Sequence, residues 1–418
     1  MSAGRDRTVE IYRRHLSSGR ALISEFTGGH VESTATGARV RTQQDEFLDC
    51  GGYGVFILGH RHPRVTAAVV EQIHRNPMST RLLLEPTAAV AAEALVEVAP
   101  PGLQRVHFVN SGAEAVEAAI KFARAAGRTR LISAIGGYHG KTTGALSLTA
   151  RPVYQDRFRP LLPDVAHVPY GDIAALAEAL AAGGPACVVV EPVQGEGGVV
   201  IPPQGYLLAV ERLCREHGAL FVLDEIQTGL GRLGHWWGAD REGTTPDVLL
   251  VGKNLSGGVI PVAAVLATDE VYEPFSQDPL LHTSTFAASP VAMVAASTSI
   301  AVLRDEDLVT RAGQLGAVIV DRLREVFDQH APHLPTEVRG AGLLIGVEPP
   351  TPHVAGDLVL ELYNRRVLVN HSLNAGGVLR LTPPAVLTDA DLEWLFTAFA
   401  DAVRVVAARH APVPERTS

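Results

Sequence analysis

Of the 36 basic residues in this chain only three are lysines, Lys121, Lys141 and Lys253. Lysine is the cation whose amine turns nucleophilic once burial lowers its pKa, so each of the three is weighed as chemistry. Lys253 follows the apolar run Val248-Leu249-Leu250-Val251 and Gly252, and precedes Asn254-Leu255-Ser256-Gly257-Gly258. A lysine at the end of a buried strand, beside glycines that admit a ligand, suits Schiff-base chemistry. The plainer alternative is a lysine that snorkels out from a strand end. Lys121 lies four residues after Glu117, the spacing of a helical ion pair. Lys141 sits in the loop His139-Gly140-Lys141-Thr142, where it either reaches an anion or only caps the loop.

Two more constellations lie beside strands. Asp224 closes the run Ala219-Leu220-Phe221-Val222-Leu223, and acidic residues at the carboxyl ends of parallel strands sit where open α/β sheets bind ligands. A buried carboxylate there needs a partner. A protonated pyridine nitrogen would serve, and a helix or turn cap is the bland alternative. Asn110-Ser111-Gly112-Ala113-Glu114 falls between a strand and a helix, where free backbone N–H groups and the helix dipole make either an anion site or an ordinary serine cap. No Walker loop and no G-x-G-x-x-G after a strand is present, so nucleotide enzymes are poor readings. His60-Arg61-His62 and Cys214-Arg215-Glu216-His217 lack the second pair a metal site needs. Trp236-Trp237 reads as packing, and Arg380, alternating with apolar residues in Val378-Leu379-Arg380-Leu381, wants a carboxylate from protein or substrate.

The elements that must position these residues are legible in outline. The chain has 418 residues, 46% apolar and 19% charged, which suits about two domains with sizeable cores. A net charge of −9 argues against a general nucleic-acid or membrane-surface binder, and no stretch approaches the roughly 20 apolar residues of a membrane span. The first thirty residues show no signal peptide, and three scattered cysteines suit reduced thiols, so a cytoplasmic protein is expected. Residues 1–50 read as a helix, Arg5 to Leu16, and short extended pieces. From about 85 to 300, helices (Pro86–Val98, Ala113–Ala126, Ile173–Ala182, Leu207–His217) alternate with short apolar runs. The runs are Val106–Val109, Leu131–Ile135, Cys187–Val190, Leu220–Leu223, Val248–Val251 and Ala263–Ala267. This alternation predicts an α/β fold with a mostly parallel sheet covered by helices. Beyond about 305, a helix (Val309–Gln329), strands (Gly342–Val347, Val367–Val369, Val378–Leu381) and a final helix (Asp389–Ala408) suggest a smaller α+β domain. The expected division is therefore 1–50, 51–305 and 306–418, with a frayed tail over the last ten residues.

Taken together these pieces resemble the class III pyridoxal-phosphate (PLP) aminotransferases, of fold type I, from about Tyr12 to Val405. Phe108-Val109-Asn110-Ser111-Gly112-Ala113-Glu114 is similar to the family's phosphate turn, and Gly137-Tyr138-His139-Gly140 to its ring-stacking loop. Glu191-Pro192-Val193-Gln194-Gly195-Glu196-Gly197-Gly198 and Leu223-Asp224-Glu225-Ile226-Gln227-Thr228-Gly229 also match. The resemblance implies that Lys253 forms the Schiff base and shuttles the proton, while Asp224 pairs with the pyridinium nitrogen. It implies that Gln227 meets the ring's phenolic oxygen, that Tyr138 stacks on the ring with His139 beside it, and that Ser111, Gly112 and Ala113 hold the phosphate. Thr285, in His282-Thr283-Ser284-Thr285-Phe286, would reach the phosphate of the neighbouring subunit, implying a homodimer. Glu196 and Arg380 would form a switch in which Arg380 binds a substrate carboxylate or is neutralised by Glu196. Tyr53 would line the pocket.

Within the family the sequence looks most like putrescine-type diamine aminotransferases, with a primary amine as donor and a 2-oxo acid as acceptor. Gly140-Lys141, Leu161-Leu162-Pro163 and Arg366-Val367-Leu368-Val369 carry that likeness. Two segments depart from the family. Asn254-Leu255-Ser256 stands where Ala-Leu-Gly is usual, and Ala287-Ala288-Ser289-Pro290 where Gly-Gly-Asn-Pro is usual. Added methyl groups where glycines allow close approach reshape a pocket, and Asn254 would add a hydrogen-bonding group beside the Schiff base, so the alternative is a PLP enzyme of specialised metabolism doing elimination, substitution or carbon–carbon bond formation.

Overall fold

The computed structural model describes residues 2–411; the expected tail beyond residue 411 lies outside them. Seven strands form the large sheet, in the order 105–109, 263–267, 248–251, 220–224, 186–190, 130–134, 165–168. Ala263–Ala267 runs antiparallel to both its neighbours, Arg105–Val109 and Val248–Val251, while the remaining pairs are parallel. The central strands are buried at every position (Ala186–Val190, Leu220–Asp224, Val248–Val251, Ala263–Ala267). That is why they read as unbroken apolar runs: helices cover both faces. Within this sheet one strand was not foreseen, Val165–Val168 at the edge, whose residues are mostly half-buried and so lack a continuous apolar signal.

Two smaller sheets flank this layer. Glu32–Thr36, Arg39–Thr42 and Glu46–Asp49 form an antiparallel meander whose last strand pairs in parallel with Val367–Leu368. Glu337–Ala341, Leu344–Glu348, Leu379–Leu381 and Asn370–His371 form the third sheet, antiparallel throughout. The helices Leu308–His330 and Asp389–Arg409 pack on each other beside it. Near the N-terminus the single expected helix is instead three pieces: Ser2–Ile11, a π-helical turn Tyr12–Leu16, and Ser18–Phe26 capped by the Ser17 side chain. Ser17 is extended (φ −149°) and its hydroxyl accepts from Arg20 N, so a cap signal in the sequence ends one helix and starts the next. No helix among the described residues is long and apolar enough to cross a membrane.

Candidate active site

The segments that matter each leave the carboxyl edge of a large-sheet strand. Residues 110–113 follow Val109, 135–141 follow Ala134, Glu191 follows Val190, Asp224 ends its own strand, and Lys253 lies two residues past Val251. They converge on a cavity of about 230 Å3 lined by Gly112, Ala113, Tyr138, His139, Gly140, Lys141, Glu191, Asp224, Ile226, Gln227 and Lys253. A larger cavity of about 450 Å3, among the N-terminal helices around Tyr12, Ala21 and His30, has no comparable convergence of buried charge.

Lys253 begins a single 3-10 turn, Lys253–Ser256, that Gly257 closes in the left-handed conformation (φ +60°). Lys253 itself has φ +41°, a conformation costing about 1 kcal/mol or more in a side-chain-bearing residue, and one that gathers at functional sites. Its ammonium donates to Gln227 Oε1 at 2.8 Å. Burial pushes its pKa down to about 8, with the Arg380 charge reinforcing the shift and Glu196, Asp224 and Glu191 opposing it. The lysine is thereby brought close to the neutral form a nucleophile needs.

Asp224 is buried, and its Oδ1 accepts from Ile226 N at 3.1 Å. Its Oδ2 lies 2.7 Å from His139 Nδ1. Burial alone would disfavour the imidazolium of His139. The hydrogen bond to Asp224 and the negative charges of Asp224 and Glu191 outweigh that, and the His139 pKa is raised. Glu191 is the residue the motif reading quoted without a role. Burial pushes its carboxyl up to about 8 despite the nearby His139 charge, and its Oε2 accepts from Tyr138 N at 3.3 Å. One signal was available: Glu191, like Asp224, is acidic at the carboxyl end of a buried strand. Ile226 was likewise unassigned; it packs beneath Gly112, where a Cβ would come within 2.9 Å of its Cγ2.

The phosphate turn is built as an ordinary helix start. Ser111 Oγ accepts from Glu114 N at 3.2 Å, capping Gly112–Ala125, and leaves Gly112 and Ala113 facing the cavity. The serine-cap reading of this turn holds. Ser111 itself is exposed and lies outside the cavity lining, as do Tyr53 (φ +51°, exposed) and Thr285, also exposed. Thr285 follows Ser284, whose Oγ accepts from Asn110 Nδ2 at 2.9 Å, so its loop stands next to the Ser111 turn.

Arg380 and Glu196 are brought together away from the cavity wall. Arg380 Nη1 forms an ion pair with Glu196 Oε1, both side chains being buried, and Glu196 Oε2 accepts from Leu373 N at 2.8 Å. The Nε and Nη2 of the guanidinium are buried without a hydrogen-bond partner. Lys141 places its ammonium 4.1 Å from the centre of the Tyr154 ring, whose hydroxyl donates to Leu373 O.

Two expectations are corrected, for Lys121 and for Asn254. Lys121 does not pair with Glu117; it donates to His282 Nδ1 at 2.8 Å, and Glu117 Oε1 accepts from Gly144 N and Ala145 N. Asn254 turns away from the cavity, donating to Gly229 O at 3.2 Å with its Oδ1 3.5 Å from Arg232 Nη2. It adds no group beside the lysine amine. His60 bonds the buried Asp49 at 2.8 Å, and His62 pairs with Glu306 at 3.3 Å. Trp237 is fully buried and Trp236 packs on the same core.

The fold and site define a PLP-dependent transferase, and the chain belongs to the class-III aminotransferase family, whose sequence model matches residues 30–403. Among solved structures it is similar to the ornithine aminotransferase of Toxoplasma gondii, at 33% identity and a TM-score of 0.90, covering 97% of this chain and 95% of that one. It is similar also to an (S)-enantioselective omega-transaminase from Thermomicrobium roseum, at 28% identity and a TM-score of 0.87, covering 96% and 98%. A third is a thermostable omega transaminase mutant from Pseudomonas jessenii, at 25% identity and a TM-score of 0.86, covering 94% and 96%. The residues present fit the cofactor. Gln227 Nε2 is buried without a partner, and a helix N-terminus, a buried carboxylate and a lysine amine all face the same cavity.

Proposed function

We propose that this aminotransferase takes the amino group of a primary amine (a diamine, an ω-amino acid or an amino acid) and passes it to a 2-oxo acid in two ping-pong half-reactions. The observation that carries the reading is the meeting of Lys253, its pKa about 8, with the buried Asp224–His139 pair in one cavity. When bound, PLP supplies an electron sink for the carbon that bears the amine.

The chain's own residues do the rest. Lys253 would hold the cofactor through its amine and, once substrate displaces it, would be the base placed to take and return a proton at the amine-bearing carbon. Asp224, hydrogen-bonded to His139, would be the carboxylate that holds the proton on the ring nitrogen. Gln227 offers its free Nε2–H to the phenolic oxygen while its Oε1 orients Lys253. Tyr138 covers one ring face. Gly112 and Ala113, with Ser111, present backbone N–H groups to the phosphate at the helix N-terminus. Arg380 binds a substrate carboxylate, and Glu196 neutralises it when an amine end enters. The Nε and Nη2 of Arg380, buried without a hydrogen-bond partner, support that role. Lys141, freed from Tyr154, and Tyr53 lie on the substrate side. The ornithine aminotransferase likeness supports a donor carrying a terminal amine.

We further propose a homodimer with Thr285 contributed across its interface, consistent with the exposure of Leu82, Leu83, Leu84 and Phe286. The chain divides into segments 1–50, 51–305 and 306–418, the first completing a sheet with Val367–Leu368 of the last. A cytoplasmic setting agrees with three buried, unpaired cysteines. The test is single-turnover mixing of holoenzyme with a panel of diamines and amino acids. Loss of the yellow absorbance with recovery of pyridoxamine phosphate is expected, and cofactor loss of colour without that product would overturn the reading.

A further inference from the structure

The loop at residues 278–289 carries Thr285, and Leu280, Leu281, Thr283, Thr285 and Phe286 along it are exposed. Three side-chain contacts pin it nonetheless. Ser284 Oγ accepts from Asn110 Nδ2 at 2.9 Å, and Asn110 is itself held by Glu114 Oε2. Arg81 Nη1 donates to Ser284 O. The third contact is His282: its Nδ1 lies 2.8 Å from Lys121 Nζ, and its ring stacks on His107, centroids 5.1 Å apart and planes 17° apart. Lys121 lies on Gly112–Ala125, the helix whose N-terminus forms the phosphate turn, and His107 lies on the strand that leads into that turn. The loop and the turn therefore share one anchor.

The ammonium can only donate, so His282 Nδ1 must carry a lone pair. An imidazolium has none, and protonation would set two cations face to face. We propose that His282 is a positioning residue: neutral, it fixes through Lys121 the loop that carries Thr285 to the neighbouring subunit's cofactor phosphate, and protonated it lets go, so the grip on that phosphate weakens in acid. This rests on the proposed phosphate roles of Thr285 and residues 111–113.

The surrounding charges support neutrality at ordinary pH. Burial and then Lys121 lower the His282 pKa, against Glu114 and Glu117. Those two carboxylates are already engaged, Glu114 by Asn110 and Glu117 by Gly144 and Ala145. His107, its Nδ1 3.4 Å from the Tyr272 hydroxyl, is pushed down to about 4 by burial and by His282, Arg81 and Lys121, so it stays uncharged as a platform.

The experiment measures PLP dissociation constants from pH 5.0 to 8.0 for the wild type, His282→Gln and Thr285→Ala. Glutamine keeps a neutral acceptor for Lys121 and cannot protonate. The ratio of wild-type to His282→Gln constants should be near one at pH 8.0 and rise about threefold or more by pH 5.0. In wild-type holoenzyme, hydrogen exchange of residues 278–289, corrected for intrinsic pH dependence, should quicken over the same range; this needs no variant. A flat ratio, or flat exchange if the variant does not fold, overturns the proposal. If Thr285→Ala binds PLP as tightly as wild type at pH 8.0, it is the phosphate role of Thr285 that fails. If that variant weakens binding while the ratio stays flat, the anchor alone fails.

Discussion

Capture of the cofactor by Lys253 should reveal the electrostatics of the empty site directly. Only a neutral amine attacks a carbonyl carbon, so in cofactor-free protein the capture rate follows the neutral fraction of Lys253. With a pKa of about 8, roughly 9% of the amine is neutral at pH 7. A lysine at about 10.5 would have only about 0.03%, so burial is worth roughly 300-fold at that pH. Stopped-flow absorbance on mixing with PLP should show a rate that climbs almost tenfold per pH unit below 8 and levels off above it. A free alkylamine run alongside should keep climbing to pH 10. Glu196 favours the ammonium form of Lys253 more than any other charged neighbour. Glu196→Gln should therefore move the break to lower pH, aided by the Arg380 charge it leaves uncompensated. A rate still rising in proportion to hydroxide from pH 8 to 10 would refute the assignment of a desolvated Lys253 at this position.

Asp224→Asn keeps the shape but removes the charge that faces His139 and, in the proposed mechanism, the ring nitrogen; turnover should fall by about 100-fold or more while far-UV circular dichroism is unchanged. Glu191 holds its proton to about pH 8 when folded and releases it near its ordinary value when unfolded. The folded state thus binds more protons between about 4.5 and 8, and stability is lost as pH rises through that window. Glu191→Gln lacks this slope, so its melting temperature should exceed the wild type's by a margin that grows from pH 5 to pH 8. Trp237 is fully buried with its indole N–H donating to Val98 O; Trp237→Ala should cost about 3–5 kcal/mol in urea unfolding. Ala288 has φ +56°, where glycine is at ease, so Ala288→Gly should be neutral or stabilising by up to about 1 kcal/mol in the same assay. A loss larger than that would show that the methyl packs.

Much of the site was legible because catalysis and fold draw on the same local signals. Lys253 and Asp224 stand at the ends of strands buried on both faces, and such strands must be written as short apolar runs, so the polar residue that breaks the run is conspicuous. The Ser111 turn was legible for a similar reason: a helix start needs a capping oxygen within one turn. These are properties of neighbours in sequence, fixed by hydrogen-bond reach and strand geometry.

What lay beyond the sequence involves partners far apart along the chain. Glu117 and Lys121 have the spacing of an ion pair, yet Glu117 caps the turn at Gly144 and Lys121 turns to His282, because better-placed partners came from other segments. Asn254 stood beside the reactive lysine in sequence, but the left-handed turn at Lys253 sends its amide to Gly229 and Arg232. The Asp224–His139 bond joins residues 85 apart, and the depressed pKa of Lys253 exists only once the sheet edge has closed around it. Sequence alone determined which residue types stand at which strand ends, since that depends on local backbone hydrogen bonding and apolar periodicity. Only the tertiary structure decided which of those charges face one another, because desolvation and Coulomb energy depend on distances through space that the order of residues does not contain.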